Sequence, residues 1–340
     1  MENSIKEQLV TNGQFEFGIF NEPIRNVNFL DADILPGYYL PRWVKNLRLK
    51  EFQAFQAGNK DFFCFITLFN AKISAFAQIR VFDIRKKQHY VYEKQLLPNL
   101  LNIPNGILNS INVYDGKSLS IRIENKLEDN YIKINFKANK TKEMPALEAE
   151  IIGNFQACDQ MTVCIPFAKN RGMYAHKGIT PMTGHLKINE EQNRFLENES
   201  FFIVDDHKGY YPYEMKWDWL TTAFVKDGKL IGINLTKNQS LNNEKYNENG
   251  IWINGQLTKL PAVEFTREGN LWSVKDKKGL INLEFQSLYP KEVKINLGPL
   301  GRSDYNGPMG EVTGTIKLDT DQEIILYKTF ALAEKQYLRC

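Results

Sequence analysis

Acids, a base and aromatic rings crowd one short stretch of this chain. Asp205, Asp206 and His207 stand together, and Tyr210, Tyr211, Tyr213, Lys216, Trp217, Asp218 and Trp219 follow closely. A carboxyl or imidazole beside an apolar, ring-lined pocket can act as a general acid or base, because excluded water moves its pKa toward the working pH. Asp206 and His207 are therefore candidate proton donors, and Tyr213, Trp217 and Trp219 candidate walls of a ligand site. If 215–224 is a strand, the two tryptophans share one face and Lys216 and Asp218 the other. The competing reading makes the tryptophans core and leaves Lys216 and Asp218 in solvent. Lys216 and Lys177 are candidate anchors for an anionic group. His176 and Lys177, beside Gly178, also read as an exposed pair in a loop entering a strand. Glu248, between Asn247 and Asn249, is either turn chemistry or a carboxylate held at a binding site. Glu334 follows an apolar run and, if buried, needs a partner. Lys177 and Lys216 are the candidates, and such a pair would make Glu334 a third catalytic group.

Other chemistry is sparse. His176 and His185 lie nine apart, while His89 and His207 stand alone. Cys64, Cys158, Cys164 and Cys340 show no C-x-x-C spacing, so reduced thiols are expected and no metal. The run DTDQE at 319–323 is only a fragment of a calcium loop. No G-x-S-x-G elbow, phosphate loop, HExxH pair or dinucleotide fingerprint occurs, and no cofactor is expected.

The elements that must position these residues read as strands. SLSIRIEN puts Leu119, Ile121 and Ile123 on one face, and YIKINFKA does the same with Ile132, Ile134 and Phe136. VKINL and EVTGTIKLD repeat the alternation, which is what a half-buried strand requires. Asp115-Gly116, Asp227-Gly228 and Asn254-Gly255 fall between such runs as hairpin turns. Short helices are expected only at 1–10 and 42–52. The fold class is all-β and mostly antiparallel. The stretch VYDGKSLSIRI at 113–123 echoes VKDGKLIGINL at 225–235. A duplicated barrel and chance recurrence of an Asp-Gly hairpin both account for it.

A chain of 340 residues suits two domains. The Pro- and Gly-bearing run IPFAKNRGMYAHKGITP places the boundary near 165, giving domains 1–165 and 166–340. The Asn-rich stretch 235–250 is expected as a surface loop. A formal charge of +3 gives no support for a nucleic-acid partner. The most apolar short run, FFCFITLF at 62–69, falls far short of the roughly 20 residues of a membrane helix. With no signal sequence visible in MENSIKEQLV, a cytoplasmic protein is expected.

GYYPYEMKWDWLTTAFVKDGKLIGINL, NENGIWINGQLTKL, LWSVKDKKGLINLEF and GPMGEVTGTIKL, followed by FALAEKQYLRC, together resemble the bacterial family called domain of unknown function 2804. KEFQAFQAGNKDFFCFITLFNAKISAFAQIRVFD extends the resemblance through the N-terminal half. The family tends to end in an aromatic residue where this chain has Cys340. More distantly, the chain is similar to the two-lipocalin-domain group of carotenoid hydratases and attachment-related proteins. That resemblance implies two lipocalin-like β-barrels and a hydrophobic small molecule or lipid as ligand. It further implies cofactor-free hydration, isomerisation or cyclisation. A non-catalytic lipid carrier or sensor, and a structural protein with filled barrels, are the alternatives.

Overall fold

The computed structural model describes residues 5–296, 298, 301–318 and 322–339. Asp319, Asp321 and Cys340, named above, lie outside them. Two compact units form. The first contains 1–210, 224–231 and 252–257, and the second 211–223, 232–251 and 258–340. The chain thus passes to the second unit after Tyr210, not near 165. Residue 165 falls inside the strand Met161–Ala168, which forms a hairpin with Arg171–Ile188. The Pro and Gly residues that suggested a linker are absorbed into that hairpin.

Alternation becomes strand as expected. In Leu119–Lys126 and Tyr131–Ala138, Leu119, Ile121, Ile123, Ile132, Ile134 and Phe136 are buried. Register places Ile121 opposite Phe136, and Ile134 opposite Ile151, so successive rows stack their apolar groups on one face. The main sheet of the first unit is antiparallel throughout. It runs Ser110–Asp115, Leu119–Lys126, Tyr131–Ala138, Leu147–Asn154, Arg171–Ile188, Phe201–Gly209, Lys50–Gly58, Phe62–Asn70, Ala75–Asp83 and Gln88–Leu96. The sheet curls until Gln88–Leu96 touches Leu119–Lys126 near its other end. Phe55, Phe62, Ile79, Ile134, Phe136, Ile151, Phe155 and Phe202 pack together inside the curl. Lys50–Gly58 and Phe201–Gly209, in the middle, are buried on nearly every side.

Two expectations about helix divide. The segment 42–52 yields a helix at Arg42–Arg48 before the chain turns into the strand at Lys50. Of residues 1–10, the first four lie outside the described residues, and the rest instead supply Lys6–Gln8 and the start of Val10–Thr11, the former pairing in parallel with Ile24–Asn26. Leu9, Val10, Phe15, Ile24 and Phe29 form a second core with Cys164, Tyr174 and Tyr210, so burial overrides the weak local helical preference.

In the second unit, Lys229–Lys237 neighbours Glu214–Lys226, followed by Glu323–Arg339, Met309–Lys317, Ile281–Tyr289, Leu271–Asp276 and Val263–Glu268. Asp218 and Arg267, from strands far apart in this order, form an ion pair, so this sheet also curls. Asp227-Gly228 and Asn254-Gly255 have the positive φ values of two-residue hairpin turns. Asp115-Gly116 does not, and opens a longer loop closed by a Gly116 N–H bond to the Leu119 carbonyl. The two echoing stretches are therefore both hairpins, with different turns.

Gly184 is a position of the long strand that only glycine fits. Its φ is +142°, and a Cβ there would lie 2.1 Å from the Glu150 carbonyl oxygen. Gly184→Ala should lower stability by about 1–3 kcal/mol, read by urea denaturation. A variant as stable as the parent would contradict this account of Gly184.

Candidate functional site

The strand Phe201–Gly209 lies between Arg171–Ile188 and Lys50–Gly58, and register assembles what sequence separates. Asp206 sits opposite His176 on one side and Gln53 on the other. Lys208 is likewise flanked by Tyr174 and Glu51. Thr162 faces His176 from the next strand. Because side chains alternate, these rows share the face of Phe202 and Val204 and continue the barrel interior from apolar into polar.

Asn112 donates to Gln53 Oε1 at 2.9 Å, and Gln53 donates to Asp206 Oδ1 at 3.0 Å. Thr162 Oγ1 lies 3.3 Å from His176 Nδ1. Glu51 is ion-paired with both Lys208 and Lys72. Three groups stand apart. His176 Nε2 is buried without a hydrogen-bond partner among the described residues, while the buried Tyr174 hydroxyl and Asp206 carboxyl interact with each other. Buried polar groups are ordinarily satisfied, so this row of neighbouring, incompletely bonded groups is the candidate site.

Burial sets the charges. It pushes Asp206 up to about 7, against the pull of Lys208 and the Gln53 hydrogen bond. Burial alone takes His176 down to about 3, so the ring is neutral. Tyr174 is raised well above its ordinary value by burial and by the charge and hydrogen bond of the neighbouring Asp206. Burial would raise Glu51 as well, but Lys208 and Lys72 outweigh it and hold that carboxyl below the usual range. One carboxylate is thereby fixed as an anion, and the other is left ready to carry a proton.

His207 and Lys177 occupy the opposite face of the same strands. His207 stacks on Phe52 with centroids 4.5 Å apart, and burial lowers its pKa well below 6.5, helped by Lys177 and Lys208. Lys177 pairs with Asp205 at 2.7 Å. The expected exposed loop at 176–177 is thus a correction: both residues are buried in the middle of Arg171–Ile188. Gly172 and Gly178 are strand positions where neighbours approach closely; a Cβ on Gly178 would lie 3.0 Å from the Phe155 ring.

The tryptophan stretch is a strand in the second unit, Glu214–Lys226, with its faces divided as expected. Trp219 donates to Asn234 Oδ1 at 2.7 Å, and Asn234 donates to the Glu248 carbonyl at 2.6 Å. Glu248 is buried, with Asn238 donating to its Oε1 at 3.5 Å. Within the Asn-rich stretch, Asn249 is also buried, and its Oδ1 accepts from the Thr236 N–H at 2.7 Å. Glu334 lies opposite Trp219 and takes hydrogen bonds from Tyr305 at 2.7 Å and Trp217 at 3.4 Å. Lys216 leaves the other face, exposed, over the Tyr337 ring. Tyr213 is 55% exposed. Asp218 is not a solvent group: burial raises its pKa despite Arg267, whose guanidinium lies 4.1 Å from the Trp272 ring.

Sequence reasoning singled out Asp206 but missed Glu51, Gln53, Tyr174, Thr162 and Lys208 as its neighbours. The available signal was polar residues on the alternating pattern of KEFQAFQAG, where Glu51 and Gln53 share the face of Phe55 and Ala57.

Linkage makes the assignment testable. Folding raises the Asp206 pKa from 3.8 to about 7, so its contribution to stability falls as pH rises through that window. His176 and His207 act oppositely, since the unfolded chain binds protons there that the folded chain rejects. Asp206→Asn removes only the first term. Relative to the parent, its stability should therefore rise between about pH 4 and 7, by up to about 4 kcal/mol, and level off above. Denaturation at a series of pH values checks this, and a pH-independent difference would refute it.

No curated protein matches the chain. Among solved structures, it is similar to kievitone hydratase from Nectria haematococca, at 10% identity and TM-score 0.44, covering 85% of this chain and 88% of that one. It also aligns with Pseudomonas aeruginosa OccK2 at 10% identity and TM-score 0.12, covering 85% and 96%. Neither likeness transfers a residue role. Residues 2–340 match the model of one family along almost the whole chain, and the protein belongs to that family, described as domain of unknown function (DUF2804).

Proposed function

We propose that the first unit binds a small, largely hydrophobic molecule at the Asp206–His176–Tyr174 face and transfers a proton to it without a cofactor. The observation that carries this reading is the convergence of the buried Asp206 carboxyl, Tyr174 hydroxyl and unpartnered His176 Nε2 beside an apolar core. A carboxyl with a pKa near 7 is about half protonated at neutral pH, the condition under which one group both gives and recovers a proton. The proton leaves Asp206 Oδ2 for an unsaturated carbon. It returns from a neighbouring carbon in an isomerisation, or from the attacking water in a hydration. A Thr162 hydroxyl donating to His176 Nδ1 leaves Nε2–H as a donor to oxygen on the bound molecule. The Lys208–Glu51–Lys72 group keeps a fixed charge beside Asp206 without competing for its proton. His207, held neutral and stacked on Phe52, is the weaker proton donor of the two sequence candidates.

A specific observation favours a second reading. Phe55, Phe62, Phe136, Phe155 and Phe202 pack the interior next to the polar rows, as in a barrel filled by its own side chains. A carrier without proton chemistry, or a structural barrel, then follows.

The two readings separate in heavy water. Purified protein incubated with a cellular lipid extract in D2O should place carbon-bound deuterium in at least one compound, detected by mass spectrometry. Asp206→Asn, folded by circular dichroism, should lower that labelling by about 100-fold or more. Equal labelling by the variant, or none by the parent, would remove the catalytic reading. A compound co-purifying in native mass spectrometry without any labelling would favour the carrier.

A further inference from the structure

The candidate site is closed. Tyr174, His176, Asp206 and Lys208 are each 0% exposed, so a molecule reaches them only where part of the wall gives way. Three strands of that wall, Lys50–Gly58, Arg171–Ile188 and Phe201–Gly209, pair along seven or more residues with the neighbour on each side. Past Tyr174 and Lys208 the same face continues through Gly172 and Tyr210, and there the N-terminal segment 5–34 covers it. Phe17 lies over Gly172, where a Cβ would meet its ring at 2.8 Å. The ring centroids of Phe29 and Phe15 lie 5.5 and 6.4 Å from that of Tyr210.

The segment is built as one body. Asn28 Oδ1 accepts from the Leu9 and Val10 N–H groups at 3.1 and 2.9 Å, and the Asp33 N–H donates to the Gly13 carbonyl at 2.8 Å. Leu9, Val10, Phe15, Ile24, Val27 and Phe29 pack together within it. Its hold on the barrel is lighter. Gly18–Phe20 pairs with Met161–Ala168 along three residues. Asn170, in the turn after that strand, accepts from the Phe15 N–H at 3.0 Å and donates to the Gly13 and Asp33 carbonyls at 2.8 Å. The Val27 N–H and the Tyr210 hydroxyl donate to the Asn105 and Phe29 carbonyls, and Arg25 pairs with Glu128 at the surface. Beyond residue 34 the chain runs exposed from 35 to 39, with Gly37 at a φ of +87° and open space around it.

We infer that segment 5–34 is a cover that swings on residues 35–39, separately from the barrel, and admits small molecules to the Tyr174–Asp206 face. The inference rests on the reading of that face as a binding site. The cost of a local opening follows the contacts that must break, so a lightly tied element opens well below the cost of global unfolding. Hinges are a few loop residues that absorb the change in φ and ψ, which an exposed run with a glycine supplies.

Two native thiols test it. Cys164, opposite Tyr174 and packed against the segment, and Cys64, inside the barrel, are both 0% exposed. Labelling with N-ethylmaleimide, read peptide by peptide in mass spectrometry, should modify Cys164 about tenfold or more faster than Cys64. The Cys164 rate should hardly change with urea below the unfolding transition. Equal rates with the same urea dependence would overturn the inference, because the segment would then open only with the whole unit. Gly18→Cys supplies a lock. Position 18 stands opposite Cys164, and a Cβ there meets nothing nearer than the Phe20 ring at 3.5 Å. Glutathione disulfide should join position 18 to Cys164, seen as a linked peptide. In that state, deuterium incorporation from D2O into the lipid extract should slow by about tenfold or more, and dithiothreitol should restore it. Incorporation indifferent to the closed disulfide would overturn the inference and leave the catalytic reading standing. If the parent incorporates no deuterium, the catalytic reading falls, and the two thiol rates decide whether the cover opens.

Discussion

Every residue from Phe201 to Gly209 is buried, and four consecutive ones are ionisable. That constraint organises the first unit. A buried charge without a partner is costly, and a strand exposes each side chain to only a few cross-strand neighbours. The flanking strands must therefore bring a compensating group to each position, and they do so by register. Lys177 arrives opposite Asp205, Glu51 opposite Lys208, Gln53 opposite Asp206 and Phe52 opposite His207.

The compensation is uneven, and the unevenness creates chemistry. Glu51 receives two lysines, enough to offset its burial, and stays an anion. Asp206 receives one amide bond and a lysine already paired with Glu51, and burial wins. Of two carboxyls in adjacent rows of one interior, Glu51 thus stays ionised near neutral pH while Asp206 is about half protonated. The difference comes from how many donors each meets, not from residue type.

The second unit shows the same rule with the other outcome. Trp217, Trp219, Asn234, Tyr305 and Glu334 are equally suggestive side chains, yet Trp219 bonds Asn234, which bonds the Glu248 carbonyl, while Trp217 and Tyr305 both bond Glu334. Asp218 finds Arg267, and the guanidinium rests on Trp272. A cluster of polar and aromatic residues is thus no indication of a site until its partners are known.

Alternation in the strands Leu119–Lys126, Tyr131–Ala138 and Met309–Lys317, together with the turns at Asp227-Gly228 and Asn254-Gly255, made the all-β class legible, because side-chain period and φ preference are local properties. The opposed faces of Trp217 and Lys216 were legible for the same reason. The partition at residue 210, the burial of His176 and the N-terminal strands were not, since each depends on what packs against a segment from far along the chain. Asp206 could be picked out as an acid by sequence alone, but its neighbours Gln53, His176 and Tyr174 could not. Sequence specifies which face a side chain takes, whereas only strand order and register decide which distant residue lies beside it and therefore what charge it carries.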